Sequence, residues 1–334
     1  MNFWQDLSSP IFILAPMDDV TNSAFRRTVA KAASPDVFFT EFANVDGLCS
    51  PGAAKIASKI EFSPIELQKP LVAQLWGHDP DNFYSVTERL IQLGFSGIDL
   101  NMGCPVKNVV AHGCCSALIR DRDRASQIII ATKAAAKKVP VSVKTRIGID
   151  SIITEDWVEY LLGFDLAAIT IHTRTVKEQS KVPAHWDELS KIVTLRNQMK
   201  KPTKIIGNGD ISSRAKGVEI SRDLKVDGVM IGRGIFSNIF AFEKVAKPHS
   251  EVELINLFLF HLSVFEQSIS FPKNFAAIKK FAKVYIRNGE NSSAIRDAIM
   301  QASTISEIRS VLQNQQERME ATDQRLILAN ESLY

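Results

Sequence analysis

Short apolar runs, rich in β-branched residues, recur at fairly regular intervals along the chain. They are Ile11 to Leu14, Val37 to Thr40, Leu71 to Leu75, Gly97 to Leu100, Val141 to Val143, Ala168 to Ile171, Lys204 to Ile206 and Gly228 to Ile231. Each has the length of a strand buried on both faces. Most are separated by stretches of helical character, such as Phe83 to Leu93 and Ala125 to Lys138. Eight strands alternating with helices predict a parallel sheet, and eight is the number that closes a barrel. The predicted fold class is therefore α/β, a (β/α)8 TIM barrel. After about residue 245 the alternation stops. From Val252 to Tyr334 the pattern is helical with few glycines, which predicts a smaller all-α C-terminal domain and a division into 1–245 and 246–334. The polar stretch Gln313 to Tyr334 reads as a loosely held helix or a frayed tail.

The polar residues fall where the strands end. Pro16, Met17 and Asp18 follow the first strand, and Glu41 the second. Gln74 closes the third, Asn101 and Cys104 follow the fourth, and Lys144 and Arg146 the fifth. His172 and Arg174 come after the sixth, Asn208, Gly209 and Asp210 after the seventh, Gly232 and Arg233 after the eighth. Every strand hands a chemically capable residue to one rim, the C-terminal face on which barrel enzymes build their sites. A single such residue would carry no weight; a full ring argues for an enzyme.

Within that ring Asn101-Met102-Gly103-Cys104-Pro105 is the most informative segment. Pro105 cannot extend the ladder, so Cys104 sits on a turn that fixes its direction. A thiol held there can give or take a proton, or attack a carbon. A buried cysteine more often acts as a small hydrophobe, but the flanking Asn, Gly and Pro shape a loop rather than a core. The turns Gly207-Asn208-Gly209-Asp210 and Gly232-Arg233-Gly234 lie where barrels gather backbone amides round a phosphate, and Arg233 adds a fork-shaped donor. A phosphate-bearing cofactor follows, though spacing does not say which.

Composition narrows the classes. At 334 residues the chain exceeds the size at which one core stops growing, which also favours two domains. Its 45% hydrophobic and 23% charged residues exclude a disordered or fibrous protein. No apolar run has the length of a membrane span, and the N-terminus lacks the pattern of a signal peptide, so a cytoplasmic protein without membrane attachment is expected. Cys49, Cys104, Cys114 and Cys115 show no zinc-type spacing, so no metal site is expected, and a reducing compartment fits. A net charge of +3 is too small to prove a polyanionic partner. Between Gln267 and Gly289, however, stand Lys273, Lys279, Lys280, Lys283 and Arg287 and no acidic residue. The spacing of Lys279, Lys283 and Arg287 predicts one basic helical face, with Phe275, Ile278, Ala282 and Tyr285 packing inward on another. By itself such a face is a solvated surface.

Taken together these motifs resemble the tRNA-dihydrouridine synthases. The likeness runs from Ala15-Pro16-Met17 through Asn101-Met102-Gly103-Cys104-Pro105, Ser142-Val143-Lys144-Thr145-Arg146, His172-Thr173-Arg174-Thr175 and Asn208-Gly209-Asp210-Ile211 to Ile231-Gly232-Arg233-Gly234. Tyr285, Arg287 and Gly289 match the family's C-terminal tRNA-recognition domain more loosely. The resemblance implies an FMN enzyme, recharged by NADPH, that reduces the C5–C6 double bond of particular uridines in the tRNA D-loop; a monomer is expected. It implies Pro16, Met17 and Asp18 beside the flavin ring, and Gln74 and Lys144 at its polar edge. His172, Asn208, Gly209, Asp210, Gly232 and Arg233 would lie around the phosphate end, with Asn101 and Arg174 facing the uracil. Cys104 would be the proton donor. Lys279, Lys283 and Arg287 then become a surface for tRNA, which must turn a stacked base out to reach the flavin. Thr173, and Cys114 with Cys115, stand where the family more often has glycine and small residues respectively. Two other readings remain at this stage: an FMN-dependent dehydrogenase of free pyrimidines, and a tRNA-binding protein without catalysis.

Overall fold

All eight apolar runs are strands, and they pair in parallel, in chain order, into a closed barrel in which the first also pairs with the last. The computed structural model describes residues 2–268, 275–287, 289 and 291–331. The strands are β1 Ile11–Leu14, β2 Val37–Asn44, β3 Leu71–Trp76, β4 Gly97–Met102, β5 Val141–Arg146, β6 Ala168–His172, β7 Lys204–Asn208 and β8 Gly228–Ile231. Several run further at their C-terminal ends than the apolar pattern predicts. Asn101, Lys144, Thr145, Arg146, His172 and Asn208 are polar yet still belong to the ladder. Backbone pairing continues past the point at which hydrophobicity stops, because it is the backbone that the ladder satisfies.

Side chains alternate between the two faces of each strand. Phe12 and Leu14 of β1 face outward into the large core shared with the helices. Ile11, Ile13 and Ala15 face inward, where Val37, Phe39, Val72, Ala168, Ile206 and Met230 join them with Trp4 from the N-terminal helix Phe3–Asp6. The lower part of the barrel is thus an apolar plug. Helices Ser23–Ala32, Pro80–Gln92, Arg122–Ala136, Thr154–Leu162, Asp187–Gln198 and Arg214–Leu224 cover the outside. The connection from β2 to β3 carries instead the short helix Val45–Leu48 and three 3-10 turns.

The C-terminal region is helical: Glu251–Glu266, Phe275–Lys279, Ala282–Tyr285, Ser292–Gln301 and Ile305–Glu331. Its first helix opens on a capping box between Ser250 and Glu253. Its apolar side docks against Ser23–Ala32, where Phe25 meets Phe281 (ring centroids 4.9 Å apart) and His261 (5.7 Å). Burial holds His261 neutral, well below the usual imidazole range, with Tyr285 on its Nδ1 at 3.0 Å. Ile278, Ala282 and Tyr285 pack inward as the spacing predicts.

The basic face is different. Lys279 ends one short helix, Lys283 lies in the next, and Arg287 follows an extended Ile286, so the three do not share one helical face. Lys279 donates to the Met300 carbonyl at 2.9 Å and lies over Phe275. Arg287 is half-buried and donates to the carbonyls of Val284, Phe236 and Ser237, joining the tail to the segment after β8. Lys280 and Lys283 are exposed; Lys273 lies outside the described residues. Spacing four apart counts residues and cannot see that the helix is interrupted. No helix among the described residues is long and apolar enough to cross a membrane.

Candidate active site

The inward positions above the apolar plug carry the polar chemistry. Alternation places Gln74 of β3, Asp99 and Asn101 of β4, Ser142 and Lys144 of β5, His172 of β6 and Asn208 of β7 on the same side as the plug. Above them opens a cleft of about 370 Å³. Pro16, Met17, Lys144, His172, Arg174, Asn208, Gly209, Asp210, Gly232 and Arg233 all line it, together with Ala15, Met230 and Gly234. These are most of the residues expected at a cofactor. Asp18 is not among them. It is exposed and paired with Lys59 at 2.8 Å, and that ammonium also holds Asp19 at 2.6 Å and Glu41 at 2.9 Å. Its carboxylate is thus tied to this cation, outside the cleft lining.

The cleft is cationic and its groups are tied to one another. Lys144 donates to Asn208 Oδ1 at 3.1 Å, and Asn208 Nδ2 donates to the Met230 carbonyl at 2.8 Å. Burial, and then nearby Arg146, bring the Lys144 ammonium down to about 8. Burial and the surrounding Lys144, Arg146, Arg174 and Arg233 push His172 down to about 2, so it is neutral. Its Nε2 then accepts from Arg174 at 3.3 Å, which puts the ring hydrogen on Nδ1. Arg174 is buried, donates to the Val182 carbonyl at 2.6 Å and is ion-paired with Asp210. Arg233 is 65% exposed and stands 3.8 Å from the other oxygen of Asp210. The two glycine-rich turns meet here: a Cβ on Gly234 would lie 2.1 Å from the Ile211 carbonyl oxygen, so only glycine allows the approach.

Gln74, Asn101 and Cys104 form a second group, adjacent in register rather than part of the cleft lining. Gln74 pairs with Asp99 across β3 and β4, Asp99 with Ser142 and Asn101 with Lys144 across β4 and β5. Gln74 Nε2 donates to Asp99 Oδ2 at 2.7 Å, and Ser142 Oγ donates to Asp99 Oδ1 at 2.6 Å. Asn101 Nδ2 donates to Gln74 Oε1 at 3.1 Å, while Asn101 Oδ1 accepts the backbone N–H groups of Gly103 at 3.1 Å and Cys104 at 3.0 Å. Asn101, expected to face uracil, therefore spends its oxygen and one N–H on holding the Cys104 turn. Arg146 closes the turn from the other side, donating to the carbonyls of Gly103 (2.8 Å), Thr175 and Gln179 (both 3.1 Å). A Cβ on Gly103 would come within 3.2 Å of Thr145 Cα, so the turn lies flat on β5.

Cys104 itself is half-buried. A hydrogen bond from the Cys115 thiol, another from the Val106 N–H and the charge of Arg146 bring its thiol down to about 6, against the opposing effect of burial. The same contact with Cys104, and burial, push Cys115 far up, so Cys115 keeps its proton. Sequence reasoning gave Asp99, Lys59 and Cys115 no role, and Arg146 only a place on the rim. Asp99 had a usable signal, a lone acid inside an apolar strand. The partnerships of Lys59 and Cys115 are tertiary and leave none.

A model of the dihydrouridine synthase family matches residues 13–323. A probable tRNA-dihydrouridine synthase of Staphylococcus epidermidis is 45% identical over 323 residues, covering 96% of this chain and 98% of the relative. The chain belongs to the dihydrouridine synthase family. A Bacillus subtilis relative described as probable tRNA-dihydrouridine synthase 2 is 41% identical over 314 residues, 93% of this chain and 95% of the relative. Among solved structures, morphinone reductase in complex with tetrahydroNAD aligns over 69% of this chain and 84% of its own, at 12% identity and a TM-score of 0.47. That likeness is too distant to carry an argument about the site.

Proposed function

We propose that this dihydrouridine synthase saturates the C5–C6 double bond of D-loop uridines in tRNA, with FMN and NADPH, and that Cys104 protonates C5. The observation that carries the assignment is the Cys104 turn: a thiol tuned close to neutral pH, clamped by Asn101 and Arg146, beside a cation-lined cleft. The cleft suits FMN by its donor set. Ala15, Pro16, Met17 and Met230 offer apolar surface, while Arg233, Gly232 and the Asn208–Asp210 turn offer a charged fork and close backbone for a phosphate. Bound FMN, once reduced by NADPH, would supply a hydride for uracil C6. Lys144 would meet negative charge at the cofactor's edge, neutral His172 and Asn208 would fix its neighbours, and Arg174 would border the uracil. Cys104 would then hand its proton to C5.

The proposal extends to a cytoplasmic monomer whose catalytic barrel is residues 1–245 and whose RNA-recognition domain is 246–334. Four free cysteines fit a reducing compartment. Purified protein should be yellow and should form dihydrouridine in tRNA but not in free uridine. Equal turnover of free uridine would favour a dehydrogenase of free pyrimidines, and a colourless, inactive protein would favour a binding protein.

Two further outcomes are expected. Arg233→Ala should weaken FMN retention by about 1.5 kcal/mol, somewhat over tenfold, the lower end for a charge-assisted contact because the side chain is exposed. Flavin released on dilution of the variant measures it. For the tail, Lys283→Ala should flatten the dependence of log tRNA affinity on log salt by roughly 0.7 if Lys283 contacts one phosphate of a single strand. Arg287→Ala should instead lower the melting temperature and leave that slope unchanged, since its guanidinium is committed to backbone carbonyls. Binding titrations at several salt concentrations separate the two.

A further inference from the structure

The buried carboxylate of Asp99 does not reach the cleft lining, yet it begins a chain of hydrogen bonds that ends at Cys104. Asp99 and Gln74 are fully buried, and Asn101 nearly so. An amide side chain has two ends of almost the same shape, so a buried amide takes its direction from its partners. Burial raises the Asp99 carboxyl to about 6, so above that pH it is ionised and only accepts. It therefore forces Gln74 to point its nitrogen at Asp99 and its oxygen at Asn101. Asn101 must answer with its own nitrogen, which leaves its oxygen facing the N–H groups of Gly103 and Cys104. Reversing Gln74 would set nitrogen against nitrogen at Asn101, and reversing Asn101 would set its amide nitrogen against two backbone donors. Ser142, through its hydroxyl on the other oxygen, holds the carboxylate in place.

We propose that Asp99 is a positioning residue for Cys104: as a buried acceptor it sets the direction of the Gln74–Asn101 chain that holds the thiol's turn. The inference rests on the reading of Cys104 as the proton donor. It concerns a group outside the cleft lining, and it assigns Asn101 mainly to the turn.

The test compares Asp99→Leu, which removes the acceptor, with Asp99→Asn, whose oxygen can still take the Gln74 N–H while Ser142 turns its hydroxyl to accept from the new amide. Asp99→Leu should form dihydrouridine at roughly a tenth to a hundredth of the normal rate, the cost of a misplaced catalytic group. Its flavin content, flavin reduction by NADPH and KM for tRNA should stay near normal, and Asp99→Asn should recover most of the rate. Placed in a Cys104→Ala background, Asp99→Leu should cost little more, because a positioning residue has nothing left to position. Should Asp99→Leu not fold, the smaller Asp99→Val carries the same expectation. An unimpaired Leu variant, an Asn variant as poor as Leu, or losses that multiply on Cys104→Ala would each overturn the proposal. If Cys104→Ala is itself active, the underlying reading has failed instead, so the two failures are told apart.

Discussion

Cys104→Ala is expected to keep its FMN and its oxidation of NADPH while losing about a hundredfold to ten-thousandfold of dihydrouridine formation, the usual range for a missing general acid. The thiol enters only once the uracil has accepted an electron pair, so the half-reaction that recharges the flavin does not need it. Its removal should also leave the barrel intact. The turn is held through backbone atoms of Gly103 and Cys104, which alanine retains. Stopped-flow reduction of the flavin, followed by single-turnover oxidation with tRNA, separates the two halves. Normal product formation by the variant would remove Cys104 from the mechanism.

A second large effect is expected from Cys115→Ala. A general acid must carry its proton, and the Cys104 thiol, brought down to about 6, does so fully only in mildly acid solution. Above that pH, kcat/KM should fall by about tenfold per unit as the thiol ionises. The first cause of the low value is the hydrogen bond from Cys115, which favours the thiolate. Hydrogen bonds to a charged group are worth about 1.5–3 kcal/mol, so alanine at 115 should move the falling limb to higher pH by roughly one to two units. The sign is fixed: removing a donor to the anion raises the pKa, so the variant should be the faster enzyme in alkaline solution. Rates across pH, with the pH dependence of Cys104 alkylation alongside, measure both. An unmoved limb would mean that Cys115 has no hold on the proton. The variant also asks what Cys115 adds in this chain.

What the residues disclose before folding depends on how local their partners are. The eight strands were legible because an apolar run is local, and the barrel followed from their number and alternation. Strand ends were less so: Lys144 and Arg146 read as loop residues because they are polar, although their backbones still pair with β6. The cleft lining was legible through the motifs that bracket it. The ion pair of Asp18 was not legible because Lys59, its partner, lies in the irregular β2–β3 connection, to which no pattern in the sequence ties it. The basic run from Lys279 to Arg287 suggested one face because regular spacing assumes a continuous helix. The chain breaks that helix, and Arg287 turns to the carbonyls after β8. Arg146 was visible on the rim, but its three carbonyl partners lie on other segments and only the fold assembles them.

The two-residue alternation along β5 has a consequence for how errors in this protein are expressed. Ser142, Lys144 and Arg146 lie on one side of the strand, and Val143 and Thr145 on the other. A slip of one position against β4 would trade the whole set at once. Lys144 would be driven into the helix-covered core and Val143 would occupy the mouth of the barrel. Such a molecule could neither close nor retain cofactor. A slip of this strand therefore does not yield a well-folded but miswired enzyme: loss of flavin colour would report the lost registration.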